Sequence, residues 1–239
     1  MVSTAQPPIP LTNEYGWTST IPNPITCRWL EYLRTVPAAR TIDIGAGFGV
    51  GTLPALALGA RVVANDISQQ QLQHIAQLAQ QAGLRQNLEL LEAALPELPP
   101  LKGLDAIHAS NVFHFLRGSQ MIAAVSWMAS AVKSDGKVFL QTVSPFAGHL
   151  QRFLPEYQRR KREDLRWPGE IEAARDYADA SVRHMTPPFM HVLESFAAVA
   201  LFEAAGFTVE YADYYTRPGL PAVCRSDGRE NLGVVAIRN

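Results

Sequence analysis

The chain has 239 residues, of which 47% are hydrophobic and 18% charged, and its formal charge is −1. This length suits one large α/β domain, and the balanced charge gives no global attraction to nucleic acid or to an anionic membrane. No stretch approaches the roughly 18 consecutive apolar residues that a membrane span needs, and the polar N-terminus lacks the pattern of a signal peptide. Cys27 and Cys224 fit no metal or redox spacing. The sequence therefore predicts a reduced, cytoplasmic protein.

The N-terminal arm, residues 1–36, begins with a proline-rich stretch that predicts extended chain up to residue 23. Tyr15-Gly16-Trp17 places two aromatic rings around a glycine within it. These rings either anchor the arm to the core or cover a ligand as a lid. From Pro24 onward, apolar residues recur with helical spacing until Pro37 ends the pattern.

Strand and helix patterns alternate through most of the remaining chain. Strands are predicted at residues 41–44, 61–66, 88–92, 104–110, 136–143, 207–215 and 232–237, and helices at residues 52–58, 68–82, 119–132 and 193–205. This alternation predicts a parallel sheet with helices on both faces. Residues 144–191, the cap segment, interrupt the rhythm with two charge-rich helical pieces and no predicted strand.

The stretch between the first strand and the first helix after it contains alternating glycines. It reads Asp43-Ile44-Gly45-Ala46-Gly47-Phe48-Gly49-Val50-Gly51. Glycine permits positive φ angles and close approach of a ligand to the backbone, and the following helix N-terminus offers amide donors. In open α/β sheets such a strand–loop–helix unit binds a nucleotide or nucleoside.

The glycine spacing argues against a dinucleotide. The G-x-G-x-x-G/A fingerprint fails in both registers, because its sixth position falls on Val50 or on Thr52. Asp43 precedes the loop by two residues, and its carboxylate would repel a pyrophosphate but attract an ammonium group. A ligand that combines adenosine with an amino-acid moiety suits this loop better than NAD.

Five motifs in order resemble those of class I S-adenosylmethionine-dependent methyltransferases. Residues 43–49 are similar to the family's (D/E)-x-G-x-G-x-G motif, and the other four similar stretches are residues 63–68, 105–116, 134–140 and 203–207. The resemblance implies a Rossmann-like, mostly parallel seven-stranded sheet of order 3-2-1-4-5-7-6 with an antiparallel last strand. It covers roughly residues 40–145 and 193–239, and it implies S-adenosylmethionine as cofactor and S-adenosylhomocysteine as product. We expect residues 1–239 to form a single domain.

The resemblance also assigns residues to the cofactor. Asp66, at the end of the second strand, would hold both ribose hydroxyls. An Asp-Ala pair that touches adenine in many relatives is replaced here by Glu92-Ala93-Ala94-Leu95, so either Glu92 or the backbone serves that role. The full predicted set is Tyr15, Asp43, Gly45, Ala46, Gly47, Gly49, Asp66, Ile67, Glu92, Ala93, Ala94, Leu95, Asn111 and Val112.

Acceptor residues are expected in the arm and in the cap segment. His149, His114 and His191 are candidate bases, each against the alternative of a packed or surface histidine. An aromatic set could wall an apolar acceptor, although aromatic residues at helical spacing are more often core. The candidate lining residues are Trp17, Phe146, Tyr157, Tyr177, His184 and Phe189. No metal ligands are expected.

The sequence thus predicts methyl transfer to an oxygen or nitrogen of a small molecule, such as a secondary metabolite, by a chain that could form a homodimer. RNA or protein methylation is the alternative, and residues 159–162 form a basic run that could meet phosphates. The acidic residues after that run and the neutral overall charge favour a solvated helix face instead. A third alternative is a protein that binds the cofactor without transferring methyl, because a glycine loop reports binding only.

Overall fold

A seven-stranded sheet forms the centre of the computed structural model, which describes residues 9–10, 17–18 and 20–239. The strands are β1 (Arg40–Ile44), β2 (Arg61–Asp66), β3 (Leu88–Glu92), β4 (Leu104–Ser110), β5 (Val132–Val143), β6 (Phe207–Tyr215) and β7 (Asn231–Arg238). Their order is β3-β2-β1-β4-β5-β7-β6, and β7 runs antiparallel to both of its neighbours. The predicted sheet order and the Rossmann-like class are confirmed.

Seven α-helices accompany these strands in the described part of the chain. They are α1 (Pro24–Thr35), α2 (Thr52–Ala57), α3 (Gln69–Gln81), α4 (Gly118–Ala131), α5 (Leu154–Arg162), α6 (Ala174–Tyr177) and α7 (Ser195–Ala204). Asn23 begins α1, since its side-chain oxygen accepts hydrogen bonds from the backbone N–H groups of Ile25 and Thr26. None of the helices in these residues is long and apolar enough to span a membrane.

Helices cover both faces of the sheet and create two apolar cores. On one face, α1 and α3 bury Trp29, Leu33 and Ile75 against the sheet. On the other face, Met128 of α4 and Phe202 of α7 are fully buried in a second core. Burial of each such side chain stabilises the fold by about 1.5–3 kcal/mol. Because helices cover both faces of the sheet, its parallel strands are apolar on both sides, as expected.

The strand β5 begins four residues earlier than the pattern predicts. Its register against β4 shifts between the pair Leu104–Val132 and the pair Ala106–Lys137. Asp135, between these two pairs, has φ +61°. Residues 132–135 therefore belong to the strand, with a local irregularity in its pairing, and do not form a loop ahead of it.

The cap segment differs from its prediction in one respect. Besides α5 and α6 it contains a two-residue strand, Glu170–Ile171, which pairs antiparallel with Met190–His191. The segment also has a small apolar core of its own, which includes Leu150 and Phe153. Such short pairings carry no alternating pattern, so the sequence does not reveal them.

The N-terminal arm contains a second short pairing that the sequence does not predict. Ile9–Pro10 pairs antiparallel with Trp17–Thr18. The predicted cofactor contact Tyr15 and the side chain of Trp17 lie outside the described residues.

Candidate active site

A cavity of about 400 Å³ opens at the carboxyl ends of the parallel strands, where open α/β sheets bind their ligands. One end, the loop end, is lined by the glycine loop and by residues that follow β2, β3 and β4. The other end, the cap end, is lined by cap-segment residues and by the loop of residues 216–230 between β6 and β7. The two ends belong to one continuous space.

Three glycines of the loop have left-handed backbone conformations, with φ of +69° at Gly45, +54° at Gly47 and +79° at Gly49. A Cβ atom on Gly45 would stand 2.3 Å from Cγ2 of Val112, so only glycine fits there. Gly47 faces open cavity, whereas Gly49 packs against Leu53 and does not line the cavity. The predicted role of Gly49 as a cofactor contact is thus corrected to packing between the loop and α2.

Asp66 lies at the centre of the loop end and is buried. Its carboxylate oxygens accept hydrogen bonds from the backbone N–H of Gly47 at 2.9 Å and of Ser68 at 3.0 Å. Burial raises the pKa of this carboxyl, and the backbone hydrogen bonds partly oppose that effect. The neighbouring Ile67 is exposed and also lines the cavity. Asp66 therefore both holds the glycine loop and presents an acceptor to the cavity.

The segment after β3 forms the next wall. Asn65 donates two hydrogen bonds from its Nδ2 atom, to the carbonyl oxygens of Leu91 and Ala93, and so fixes this segment. Ala93, Ala94, Leu95 and Glu97 line the cavity there. Glu92 is exposed and does not line the cavity. This geometry corrects the assignment of Glu92 and favours the alternative in which the loop backbone contacts the adenine.

Asn111 and Val112, which are predicted to contact the cofactor, follow β4 and line the cavity. Asn111 has φ +59°, and its side-chain oxygen accepts a hydrogen bond from Nε2 of Gln141 on β5. Ala46 also lines the cavity, and its N–H donates a hydrogen bond to the carbonyl oxygen of Asn65 at 2.8 Å. The loop end is therefore a rigid, backbone-rich surface.

Asp43 lies beneath the glycine loop, where it reaches the cavity wall but is buried. One carboxylate oxygen bonds Nδ1 of His108 at 2.7 Å, and the other accepts a hydrogen bond from the Thr52 hydroxyl at 2.6 Å. His108 stacks on Trp29, with ring centroids 4.5 Å apart. Both oxygens thus serve the protein's own network, and attraction of an ammonium group by Asp43 stays a prediction.

The cap end contains two histidines with buried, unsatisfied nitrogens. His114 is 7% exposed and His149 is half-buried, and both line the cavity. The Nδ1 atom of each has no hydrogen-bond partner among the described residues. Burial, assisted by the charge of Arg217, lowers the pKa of His114 to about 3 and that of His149 to about 4. Both imidazoles are therefore neutral at pH 7 and can accept or donate a hydrogen bond.

His191, the third predicted base, does not reach the cavity. It is buried with its Nδ1 atom 3.0 Å from the carbonyl oxygen of Leu116, and its ring meets the edge of Trp167. The prediction of a catalytic His191 is corrected to a packing role that joins the cap segment to the turn after β4.

None of the predicted aromatic lining residues with described side chains faces the cavity either. Phe153 and Tyr177 contact each other inside the cap segment, and Tyr157 is buried in that same small core. Phe146 stacks under the Arg229 guanidinium, and Phe189 under that of Arg117. His184 is exposed. The apolar rings stabilise the cap segment or cover surface cations, so the assignments of Phe146, Tyr157, Tyr177, His184 and Phe189 are corrected.

The actual lining of the cap end consists largely of residues that the sequence does not single out. They include Val182, Met185, Thr186, Pro187, Met190, Arg217, Leu220, Cys224, Glu230 and Asn231. A signal was available for the last five, because loops after parallel strands gather at the carboxyl edge of the sheet. Arg217 follows β6 by two residues.

Acidification is expected to destabilise the folded protein between about pH 6.5 and pH 4. His114 and His149 stay neutral when folded, while the unfolded chain binds protons below its ordinary histidine pKa of 6.5, so stability is lost as the pH falls. Each histidine lowers the free energy of unfolding by up to ~1.4 kcal/mol per pH unit. Urea denaturation across this range measures the slope. The His114→Gln variant should show a shallower slope than the parent, and an equal slope would contradict the assignment.

Comparisons with known proteins agree with this fold. Residues 42–138 match a family model described as a methyltransferase domain. The chain is similar to a glycopeptide N-methyltransferase, MtfA, complexed with S-adenosylmethionine, at 16% identity over 90% of this chain and 87% of that one, with a TM-score of 0.58. It is also similar to magnesium protoporphyrin IX methyltransferase from Synechocystis PCC 6803, at 16% identity over 90% and 81% of the chains, with a TM-score of 0.59. No curated protein matches the sequence.

At 16% identity the solved structures establish only that the fold is shared. The segment that matches the family model contains the glycine loop, β2 and β4. The residues of the loop end suit the family's cofactor: Gly47 leaves space beside the backbone, and Asp66 offers a carboxylate near it. The sheet order, the loop and the matched segment lead to one identification. Residues 42–138 match a methyltransferase domain, and the chain as a whole has the class I fold of S-adenosylmethionine-dependent methyltransferases.

Proposed function

We propose that the chain transfers a methyl group to an oxygen or nitrogen atom of a small molecule held at the cap end. The observation that carries this proposal is the continuous cavity, which runs from the glycine loop to a compartment with two neutral histidines. Its volume of about 400 Å³ lies in the range of small-molecule sites. The cap segment and the β6–β7 loop form the acceptor wall in this proposal.

At the loop end, S-adenosylmethionine supplies a methyl group already activated on a sulfonium. Asp66 would accept hydrogen bonds from the ribose hydroxyls, and the walls at Ala93–Leu95 and Val112 would enclose the adenine. Because the methyl group needs no further activation, the protein contributes alignment and the exclusion of water. Apolar wall residues such as Met185 and Leu220 serve that exclusion.

His149 is the proposed base, acting on the acceptor's proton. Its pKa of about 4 makes it a weak base, but it is neutral at pH 7 and has a lone pair available. A hydroxyl or amine becomes far more acidic as it gains a methyl group, so a weak base suffices once transfer is under way. The buried Nδ1 atom without a described partner is consistent with such a role.

Radiolabelled methyl transfer into a cell extract tests the proposed acceptor class. The purified protein is incubated with methyl-labelled S-adenosylmethionine and an extract that contains metabolites, RNA and protein, followed by size fractionation. We expect the label in the low-molecular-mass fraction. Label that stays with RNA or with protein would favour the alternative acceptors, and no labelled product despite cofactor binding would favour a non-transferring protein.

The His149→Ala variant is expected to lower kcat for the labelled product by about 100-fold, the contribution typical of a positioned base. Its affinity for S-adenosylhomocysteine should stay within about two-fold of the parent, because His149 is not among the residues proposed to hold the cofactor. A ten-fold loss of affinity would correspond to about 1.4 kcal/mol of lost binding free energy. His184→Ala is the matched control, because His184 is an exposed histidine of the same cap segment. An unchanged kcat in His149→Ala would return His149 to a packing role.

A further inference from the structure

A network of polar side chains lies where the loop end of the cavity meets the cap end. Its members, the polar floor, are Asn23, Ser110, Asn111, Gln141 and Asn231. Asn23 begins α1, Ser110 ends β4 and Asn231 begins β7, so the edge of the sheet brings distant positions together. Gln141 is fully buried in β5, and the other four residues line the cavity.

The first anchor of this network is the backbone at the start of α1. The N–H groups of Ile25 and Thr26 can only donate, so they fix the side-chain oxygen of Asn23 as their acceptor. The Nδ2 atom of Asn23 then donates to the Ser110 hydroxyl at 2.9 Å, and that hydroxyl donates in turn to Oε1 of Gln141 at 3.3 Å. Gln141 must therefore present its Nε2 atom to its remaining neighbours.

A second anchor, at the opposite end of the network, gives the same orientation. The backbone carbonyl of Tyr215 can only accept, and Nδ2 of Asn231 donates to it at 3.3 Å. The side-chain oxygen of Asn231 is therefore left to accept from Nε2 of Gln141, at 3.4 Å. The same Nε2 atom donates to the side-chain oxygen of Asn111. Two independent backbone groups thus determine the direction of the hydrogen bonds in the polar floor.

Asn111 is the open end of this network. Its side-chain oxygen is turned toward the buried Gln141, and its Nδ2 atom makes no hydrogen bond to another described residue. Asn111 is half-buried and lines the cavity, so its two N–H groups are left for a ligand. The polar floor therefore presents a hydrogen-bond donor at this position and keeps the corresponding oxygen for itself.

The acid beside the polar floor is already engaged by the protein. Glu230 lines the cavity, but its carboxylate accepts hydrogen bonds from the Thr216 hydroxyl and from the backbone N–H groups of Ser226 and Gly228. In the proposed function the neutral imidazole of His149 takes the acceptor's proton. A bound acceptor would thus meet an N–H donor on the floor and an imidazole base on the cap segment.

We propose that the methyl acceptor is a hydroxyl oxygen, to which Asn111 donates a hydrogen bond while His149 takes its proton. This inference rests on the proposed function and narrows it from oxygen or nitrogen to oxygen. A hydroxyl oxygen has two lone pairs, so one can accept from Asn111 while the other attacks the methyl carbon. A neutral amine nitrogen has a single lone pair, and a donor at this position would occupy it.

The transfer step balances without another reactant. The oxygen forms a bond to the methyl carbon, the electron pair of the carbon–sulfur bond returns to sulfur, and the hydroxyl proton passes to His149. As the proton leaves, negative charge develops on the oxygen, and the N–H of Asn111 stabilises it. Gln141 acts as a positioning residue, because its Nε2 atom holds the amide of Asn111 in this orientation.

Matched hydroxyl and amine probes test this inference by binding alone. Calorimetry is performed on protein saturated with S-adenosylhomocysteine, using phenol and 2-naphthol, each beside its aryl amine, which is also uncharged at neutral pH. The amine brings two N–H groups to a single imidazole, so one of them would lack an acceptor. We therefore expect at least one hydroxyl probe to bind about ten-fold or more tightly than its amine.

Removal of the Asn111 side chain tests the donor itself. Glycine adopts φ of +59° readily, so Asn111→Gly removes the side chain without straining the backbone. We expect the preference for hydroxyl probes to fall to about two-fold or less. Gln141→Leu frees Asn111 to turn and should retain part of the preference, a ratio that loss of packing alone would leave unchanged. Asn87→Gly is the matched control, because Asn87 is a half-buried asparagine outside the cavity, and it should leave the preference intact.

The atom that receives the methyl group gives a second readout. Transfer of an isotope-labelled methyl group to a metabolite extract is followed by NMR, which distinguishes a methyl group on oxygen from one on nitrogen. We expect an O-methyl product. Asn111→Gly should lower kcat for it by about ten-fold or more, because the oxygen loses the N–H that stabilises its developing charge.

The outcomes separate this inference from the function beneath it. An N-methyl product alone, hydroxyl probes that bind no better than their amines, or a preference that survives in Asn111→Gly would overturn the inference. Failure of every probe to bind while S-adenosylhomocysteine binds would overturn it as well. If the preference holds but no methyl product is found, the binding site stands and the proposed activity fails.

A truncated cofactor distinguishes the acceptor from the cofactor as the partner of Asn111. 5′-Methylthioadenosine lacks the amino-acid part of S-adenosylhomocysteine, and we expect Asn111→Gly to bind both within about two-fold of the parent. A variant that loses affinity for S-adenosylhomocysteine alone would assign the donors of Asn111 to the cofactor's carboxylate and overturn the inference. Cooperative thermal unfolding of each variant establishes that it is folded.

Discussion

Alanine in place of Gly45 is expected to weaken binding of S-adenosylhomocysteine by at least about 100-fold, or ~2.7 kcal/mol. The backbone there has φ +69°, and an alanine Cβ would stand 2.3 Å from Cγ2 of Val112. The left-handed conformation alone costs about 1–2 kcal/mol in an alanine. The clash adds displacement of either the loop or the segment after β4, and both form the loop end. Calorimetric titration measures the affinity, and thermal unfolding measures the stability.

Gly59→Ala separates the two effects in the Gly45→Ala variant. Gly59 has φ +83°, and a Cβ there would meet nothing within 4 Å, so this variant has the backbone cost without the clash. We expect Gly59→Ala to lose stability while its affinity for S-adenosylhomocysteine is unchanged. The double variant Gly45→Ala, Val112→Ala removes the clashing methyl group and should recover part of the lost affinity. If Gly45→Ala and Gly59→Ala had the same affinity for S-adenosylhomocysteine, the clash with Val112 would be unimportant for cofactor binding.

The second large effect is expected at Asp66. Asp66→Ala should weaken S-adenosylhomocysteine binding by about 10- to 100-fold, because the ribose hydroxyls lose a charged acceptor, an effect of about 1–3 kcal/mol. The structure adds a second cause, since the same carboxylate holds the N–H groups of Gly47 and Ser68. Calorimetric titration of the parent and the variant under the same conditions measures the difference.

Two further variants make the Asp66 experiment specific. Asp66→Asn keeps one side-chain oxygen as an acceptor, so we expect it to lose less affinity than Asp66→Ala. Glu92→Ala is the matched control, because Glu92 is an exposed acid at the end of the neighbouring strand and does not line the cavity. Its affinity should stay within about two-fold of the parent, well under the 1.4 kcal/mol of a ten-fold change. Parent-like affinity in Asp66→Ala would mean that the ribose is held elsewhere.

The sheet and the loop end could be predicted because local sequence determines them. Strands β4 and β6 have the predicted bounds, since buried apolar runs and flanking turn residues mark them. The glycine loop needs left-handed residues at alternate positions of one short segment, and that requirement is visible without knowledge of the rest of the chain. The order of the strands followed from the resemblance of five such local motifs.

The cap end could not be predicted in the same way, because its composition depends on contacts between distant segments. His149 and Arg225 are 76 positions apart, and their segments approach closely where Gly148 packs against the β6–β7 loop. The aromatic residues of the cap segment were assigned to the cavity by their size and apolarity, but the same properties place Tyr177 against Phe153 in the segment's own core. Burial and ligand contact favour the same side chains, so composition does not distinguish them.

In the cap segment, the side chains that form the small core are largely different from those that line the cavity, and this affects how the choice of acceptor can change. The rings that hold the segment together, such as Phe153, do not line the cavity, and the side chains that do line it, such as Val182 and Met185, lie outside that small core. Met190 is shared between the two sets. The acceptor wall can therefore be remodelled at most positions without unfolding the scaffold that carries it, which makes this face a natural place for new substrate preferences to evolve or be engineered.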